Sequence, residues 1–279
     1  MLRSLIDRLR CPFCEVGPLT LRIDDSNDPR GGAGDRIDHG VLSCGSCQRT
    51  TQIVDRVWHA MGDHRWEKTP AQISNVIPPT PQLYERLWRV RSLSLLSGRS
   101  FPIDEELAEL RGAVHPGPGN VFVDVACSEG LYARSLAEAG AAVFAVDHSR
   151  PFLQRLVKRA ADRPIIAIRA LAQHLPLATA TLDGAVLGGS LNEIGDQRAC
   201  LDEMARVTRA GGHSFSMSLT TATTARGRLL QRLLKPTGIV VPTVDETISL
   251  HQQAGLHVTS ERLDRIVLRV TAERPVSAL

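Results

Sequence analysis

At 279 residues the chain has room for one large domain, or a medium domain with a small attachment, and 43% hydrophobic against 23% charged residues supports an ordinary buried core. Aromatic residues contribute only 4%, so Leu, Val, Ile and Ala must fill that core. A net charge of +3 does not by itself argue for nucleic acid, and no run approaches the roughly 18 apolar residues of a membrane span. Met1 to Arg10 alternates apolar and basic residues without the apolar stretch of a secretory signal, so a cytoplasmic location is expected.

The first 60 residues read as one small unit. Four of the six cysteines form the pairs Cys11-Pro12-Phe13-Cys14 and Cys44-Gly45-Ser46-Cys47, while Cys127 and Cys200 stand alone. Without an export signal, paired Cys-x-x-Cys turns favour a metal over disulfides, because each turn aims two sulfurs at one centre. The expectation is a zinc ribbon whose four thiolates leave no open position, which makes the zinc structural; two unrelated cysteine pairs are the plainer alternative. The stretch between Cys14 and Cys44 exceeds the usual ~15–20 residues of a ribbon. The excess matches the Asp-, Gly- and Arg-rich run 24–38, read as an inserted flexible loop. Strands are expected at 18–23 and, as one piece, over TTQIVDRVW at 50–58.

Residues 61–119 read as a linker and helical cap. Pro70, Pro78, Pro79 and Pro81 extend the first half. Helices are expected over 82–96 and 104–111, the second opening on acidic residues as the helix dipole favours. His115-Pro116-Gly117-Pro118-Gly119 breaks the chain before the main domain.

From residue 120 strands and helices alternate. Strands are expected at 121–126, 141–147, 164–170, 182–189 and 213–219, with helices at 131–140, 151–161 and 196–209 between them. The helix at 196–209 is expected to end at Gly211-Gly212, and a helix at 245–255 precedes two closing strands near 257–262 and 265–272. Apolar strands alternating with helices imply an α/β fold, a mostly parallel sheet covered on both faces. The basic stretch Thr220 to Lys235 reads either as a lid beside the site or as a solvated helix face.

The first strand runs into Asp124-Val125-Ala126-Cys127-Ser128-Glu129-Gly130 and then a helix, a turn that presents backbone N–H groups to a ligand at the carboxyl end of the sheet. Asp147 ends the second strand, where its carboxylate suits two ribose hydroxyls or, alternatively, caps the next helix.

These residues carry a resemblance. VFVDVACSEGLYARSLAEAGAAVFAVDHS (121–149), LAQHLPLATATLDGAVLGGSLNEI (171–194) and EMARVTRAGG (203–212) look like successive motifs of class I S-adenosylmethionine (SAM)-dependent methyltransferases. The CPFC and CGSC pairs with LYERLWRVRSLSLLSGRSFPIDEEL (83–107) resemble the uncharacterised chloroplast methyltransferases of plants and their bacterial relatives. The resemblance implies a Rossmann-like, seven-stranded methyltransferase domain over 120–279 behind a zinc ribbon, with SAM as cofactor and methyl transfer as activity. It implies SAM contacts from Asp124, Ala126, Cys127, Ser128, Gly130, Asp147, His148, Leu171, Ala172 and Gly188. Glu193 and Asn192 fall where the family places substrate-facing catalytic residues, and Tyr84 and Trp88 are read as a cap on the substrate pocket or as core packing.

The chain departs from the family pattern at three points. Ala126 and Ser128 replace glycines of the loop, and Leu171 stands where many relatives carry an acidic residue for the adenine amino group. Leucine forfeits that hydrogen bond, about 0.5–1.5 kcal/mol. Glu129 places a carboxylate beside the cleft, where it would face the sulfonium or methionine ammonium of the cofactor or, as expected here, solvent. A small-molecule acceptor is favoured over RNA by weak charge, few aromatics and no basic stripe. A zinc-bearing rRNA base methyltransferase and a methyltransferase-fold protein that no longer methylates are the competing readings. High Ala, Arg and Leu usage points to a bacterial source.

Overall fold

The computed structural model describes residues 3–23, 37–65, 69–74 and 90–276. Strands β1 (Leu19–Ile23), β2 (Gly40–Cys44), β3 (Thr50–Val54) and β4 (Val57–His59) form an antiparallel ladder. The run expected as one strand at 50–58 is thus a hairpin. Asp55 and Arg56 both take positive φ, 51° and 67°, which is the two-residue turn that matches the twist of paired strands.

Short helices α1 (Pro70–Ser74), α2 (Val90–Ser97) and α3 (Ile103–Val114) follow. Then come β5 (Val121–Val125), α4 (Leu131–Glu138), β6 (Ala142–Asp147), α5 (Arg150–Ala160), β7 (Ile165–Arg169) and β8 (Leu182–Gly188). The remainder is α6 (Gln197–Val207), β9 (Thr208–Leu219), α7 (Ala225–Leu234), α8 (Val244–Gln253), β10 (His257–Asp264) and β11 (Val267–Glu273). β5 is buried at every position, as a strand covered on both faces must be.

All eleven strands join one mixed sheet in the order β1-β2-β3-β4-β7-β6-β5-β8-β9-β11-β10, not the seven expected. The four extra strands belong to the cysteine-bearing unit. β4 pairs parallel to β7, from Val57 opposite Ala167 to His59 opposite Arg169, and so covers an edge that would otherwise show unpaired backbone groups. Trp58 anchors the junction: it is fully buried and its indole N–H donates to Thr51 Oγ1 at 2.8 Å. On the same side, Arg10 N donates to the Pro176 carbonyl at 3.1 Å and Leu9 bridges Leu177.

The helix before β9 stops at Val207, earlier than its Gly-Gly signal suggests. Thr208 already turns to extended backbone while its hydroxyl donates to the Met204 carbonyl. Gly212 lies inside the strand because a Cβ there would sit 2.7 Å from the Asp183 carbonyl oxygen. At the opposite edge, α3 docks through charge. Arg99 bonds both Glu105 and Asp264, Arg269 bonds Asp264 and Glu109, and Phe101 lies between the two guanidiniums, 4.9 Å from each.

Strand order reverses between β5 and β8, which are parallel neighbours. At such a switch point the loops leave the carboxyl ends in opposite directions and open a crevice.

Candidate functional site

The loop after β5 keeps a glycine-type backbone without the glycines. Ala126 and Ser128 adopt φ of 51° and 50°, and Gly130 adopts 72°. Left-handed backbone costs an L-residue roughly 1–2 kcal/mol, so the strand, helix and their hydrogen bonds impose it. Cys127 N donates to the Val146 carbonyl and Gly130 N to the Cys127 carbonyl. Gly130 is demanded by packing as well as by φ: a Cβ would lie 2.3 Å from Leu156 Cδ1 on α5.

Glu129 does not face solvent. It is buried and ion-paired to Arg155 and Arg159 of α5, while Arg134 bonds its carbonyl. The left-handed residues on either side turn its side chain away from the crevice and toward α5.

Asp147, buried at the end of β6, is the hub of the crevice. Its Oδ2 accepts from Ser128 N at 2.8 Å and its Oδ1 from Ser149 N at 2.7 Å. Ser149, rather than Asp147, caps α5, accepting from Phe152 N. One carboxylate thus ties the loop to the start of the helix while lining the crevice. His148 Nδ1 lies 3.6 Å from Asp147 Oδ1.

A cavity of about 280 Å³ opens here. Of the expected cofactor residues, Ala126, Ser128, Asp147, His148, Leu171 and Ala172 line it. Asp124, Cys127, Gly130 and Gly188 stand behind it. Asp124 accepts from Ala133 N at 2.9 Å and so braces the start of α4. Cys127 packs in the core, where burial and the nearby carboxylates of Asp124 and Asp147 push its thiol well above the ordinary range. Gly188 makes room for Tyr132, whose ring atoms lie 2.9 Å from the position of a Cβ.

Glu193 lines the cavity but Asn192 does not. The Asn192 amide is consumed: its Nδ2 donates to the Leu219 and Val240 carbonyls, and its Oδ1 accepts from Leu219 N. It positions the segment carrying Glu193 and has no group left for a substrate. Tyr84 and Trp88 lie outside the described residues. The sequence reading missed Arg65, Gln72 and His174 as lining residues. Gln72 reaches in from α1 and donates to the Glu193 carbonyl at 2.9 Å. No local motif signals Arg65 or Gln72, because only the path of the linker brings them in. His174 stacks on His64 with centroids 3.7 Å apart, and burial together with that neighbour holds its imidazole below the usual range.

The four paired cysteines converge. Cys11 and Cys47 Sγ lie 3.6 Å apart, as do those of Cys14 and Cys44, and all four sulfurs fall within 4.8 Å of one another. The edge of a ZnS₄ tetrahedron with ~2.3 Å bonds is about 3.8 Å, so the donor set fits zinc. The sulfurs are too far apart for disulfides, and all four cysteines are free thiols. Burial pushes the Cys11 thiol up to about 12, whereas the Cys47 N–H, 3.5 Å from Cys44 Sγ, draws Cys44 down to about 7.

Residues 123–216 match the family model described as "Methyltransferase domain", the span from β5 to β9 that builds the crevice. Over that span the chain is similar to methyltransferase domains, and its fold is the Rossmann-like fold of methyltransferases. It is similar to an uncharacterised chloroplastic methyltransferase of Arabidopsis thaliana, 26% identical over 72% of this chain and 59% of that protein. It is also similar to a demethylmenaquinone methyltransferase of Corynebacterium urealyticum, 30% identical over 52% of this chain and 59% of that protein. The chain thus spans less than two thirds of the length of these curated relatives. The structure of geranyl diphosphate C-methyltransferase from Streptomyces coelicolor superposes with a TM-score of 0.55 at 13% identity, covering 61% of this chain and 76% of that one. Among the described residues, no helix is long and apolar enough to cross a membrane.

Proposed function

We propose that this protein is a SAM-dependent methyltransferase acting on oxygen, nitrogen or carbon of a small molecule. In this reading residues 1–60 form a structural zinc ribbon, 61–119 a helical cap and 120–279 the catalytic domain. The observation that carries it is Asp147, a buried carboxylate opening on the cavity beside a loop of glycine-type backbone. Asp147 and His148 would hold the ribose, Phe152, Ala170 and Leu171 would flank the adenine, and Ala126 with Ser190 would bound the methionine end. When bound, SAM supplies an activated methyl group. The chain's own work is to align the acceptor, exclude water and take up a proton. Glu193 is the carboxylate on the cavity wall suited to that last task. Support for a small acceptor comes from the similar proteins, two of which are named for demethylmenaquinone and geranyl diphosphate.

Calorimetric titration with SAM and S-adenosylhomocysteine tests the reading. Both should bind, and Asp147→Ala should weaken each at least about tenfold, the effect of losing a charge-assisted hydrogen-bond acceptor. No binding at millimolar ligand would replace it with a non-methylating protein. Binding of SAM together with retention on RNA at ordinary salt would instead favour the rRNA methyltransferase. Metal analysis of freshly purified, reduced protein should find one equivalent of zinc, and its absence would remove the ribbon.

A further inference from the structure

Helix α7 buries none of its side chains, although it is rich in leucine. Leu229, Leu230 and Leu233 are 60%, 61% and 68% exposed. At about 100° per residue they fall within one arc of roughly 100°. Arg228, Arg232 and Lys235 occupy the adjoining flank, all exposed. The helix is held to the fold from the far side. Gln231 accepts from Ala222 N at 2.8 Å and donates to the Thr220 carbonyl at 2.9 Å, which turns Leu229 and Leu233 outward. From 204 to 244 the sequence contains no acidic residue.

This pattern restricts what can cover the face. Pairing with a second copy through a two-fold axis would bring two basic flanks together with no carboxylate in the segment to offset them. A surface that is apolar inside and anionic at its boundary satisfies both halves of the helix: leucines enter the acyl boundary and guanidiniums stay among phosphates. We propose that α7 is an in-plane anchor that docks this protein on an anionic lipid bilayer.

The anchor is rooted at the rim of the cavity. The chain leaves β9 and returns at Val240, and both ends are tied by Asn192, next to Glu193. Beyond α7, the 3-10 turn Lys235–Thr237 leads to Gly238, packed so closely on Thr69 that a Cβ would lie 2.5 Å from it. Thr69 Oγ1 in turn accepts from the backbone N of Gln72, another lining residue. Docking through α7 therefore brings the membrane to the segment tied to the cavity wall through Asn192 and Gln72. Resting on the methyltransferase reading above, this placement assigns the acceptor to lipid-phase or amphiphilic molecules.

Flotation of the full chain with vesicles, in the absence of SAM, tests the anchor. On phosphatidylcholine containing about 30 mol% phosphatidylglycerol, binding should be at least about tenfold tighter than on phosphatidylcholine alone and should weaken with salt. The pair Leu229→Ser and Leu233→Ser should reduce it at least about tenfold, and Arg228→Gln with Arg232→Gln about fivefold per charge. Because Leu229, Leu233 and Arg232 are exposed, the leucine pair and Arg232→Gln alone should keep the parent melting temperature, which verifies that they fold. Arg228, which also donates to the Ala222 and Thr223 carbonyls, is the one position where a lower melting temperature is expected. Absence of vesicle binding, equal binding to neutral vesicles, or indifference to the leucine pair would overturn the proposal. So would a doubling of mass with concentration that the leucine pair abolishes without any vesicle binding, since the face would then join two copies. SAM affinity measured without lipid belongs to the other reading: its loss with vesicle binding intact would leave the anchor and remove only the lipid-phase acceptor.

Discussion

The cysteine cluster and the loop after β5 solve the problem of ligand geometry in opposite ways. In the cluster, side chains carry the information and the backbone conforms: two Cys-x-x-Cys turns set four sulfurs at tetrahedral spacing from 30 residues apart in sequence. In the loop, the backbone carries the information and the side chains have changed around it. Ala126 and Ser128 hold left-handed φ, with neighbouring hydrogen bonds offsetting the strain. A loop can therefore keep a glycine-type backbone without the glycines when the surrounding fold over-determines it.

The largest effect should follow from breaking the cluster. On the proposed zinc ribbon, Cys44→Ser should abolish metal binding and cost at least about 4 kcal/mol, the scale of losing a structural metal. Because β4 lies in the same sheet as β7, the loss should also appear as faster hydrogen exchange in Ile165–Arg169. Exchange confined to residues 1–60 would show instead that the two units are energetically separate. Next comes Gly130→Ala, which combines positive φ with collision against Leu156 and should destabilise by about 3 kcal/mol in denaturant melts. A cost under about 1 kcal/mol would mean that the loop is not over-determined.

Smaller effects sharpen the same contrast. Leu171→Asp restores an acceptor for an adenine amino group and should tighten SAM binding roughly fivefold by calorimetry. An unchanged affinity would place the adenine away from this wall. The smallest effect belongs to Ala126→Gly and Ser128→Gly. Relief of left-handed strain, less the entropy of a freer unfolded chain, should leave each about 0.5 kcal/mol more stable. Destabilisation by either would show that those side chains contribute packing of their own.

Much of the architecture was legible in the sequence because its signals are local. Continuous apolar runs marked β5 to β8, whereas the cap of α5 reads early in the sequence, at Asp147 instead of Ser149. The hairpin at 50–58 escaped because Asp55-Arg56 lacks glycine, yet both residues take the left-handed turn. The placement of Asp147, His148 and Glu193 on the cavity wall, and the convergence of the four cysteines, were legible from position relative to strands or from paired spacing. Asn192 lies off the cavity wall with its amide bonded to Leu219 and Val240, because proximity in sequence to a cavity says nothing about where an amide's hydrogen bonds go.

By itself, then, the sequence determined the alternation of strands and helices, the donor set for a metal, and a crevice after the first strand of the parallel sheet, since each follows from periodicity or short-range spacing. Only the tertiary structure decided that the cysteine-bearing unit extends the main sheet through β4, that Gln72 and Arg65 reach the cavity, and that Glu129 turns to Arg155 and Arg159 instead of water. It also decided the state of the loop. Whether Ala126 and Ser128 spoil a glycine turn depends on how strongly distant neighbours hold the backbone, and that balance is a property of the packed molecule.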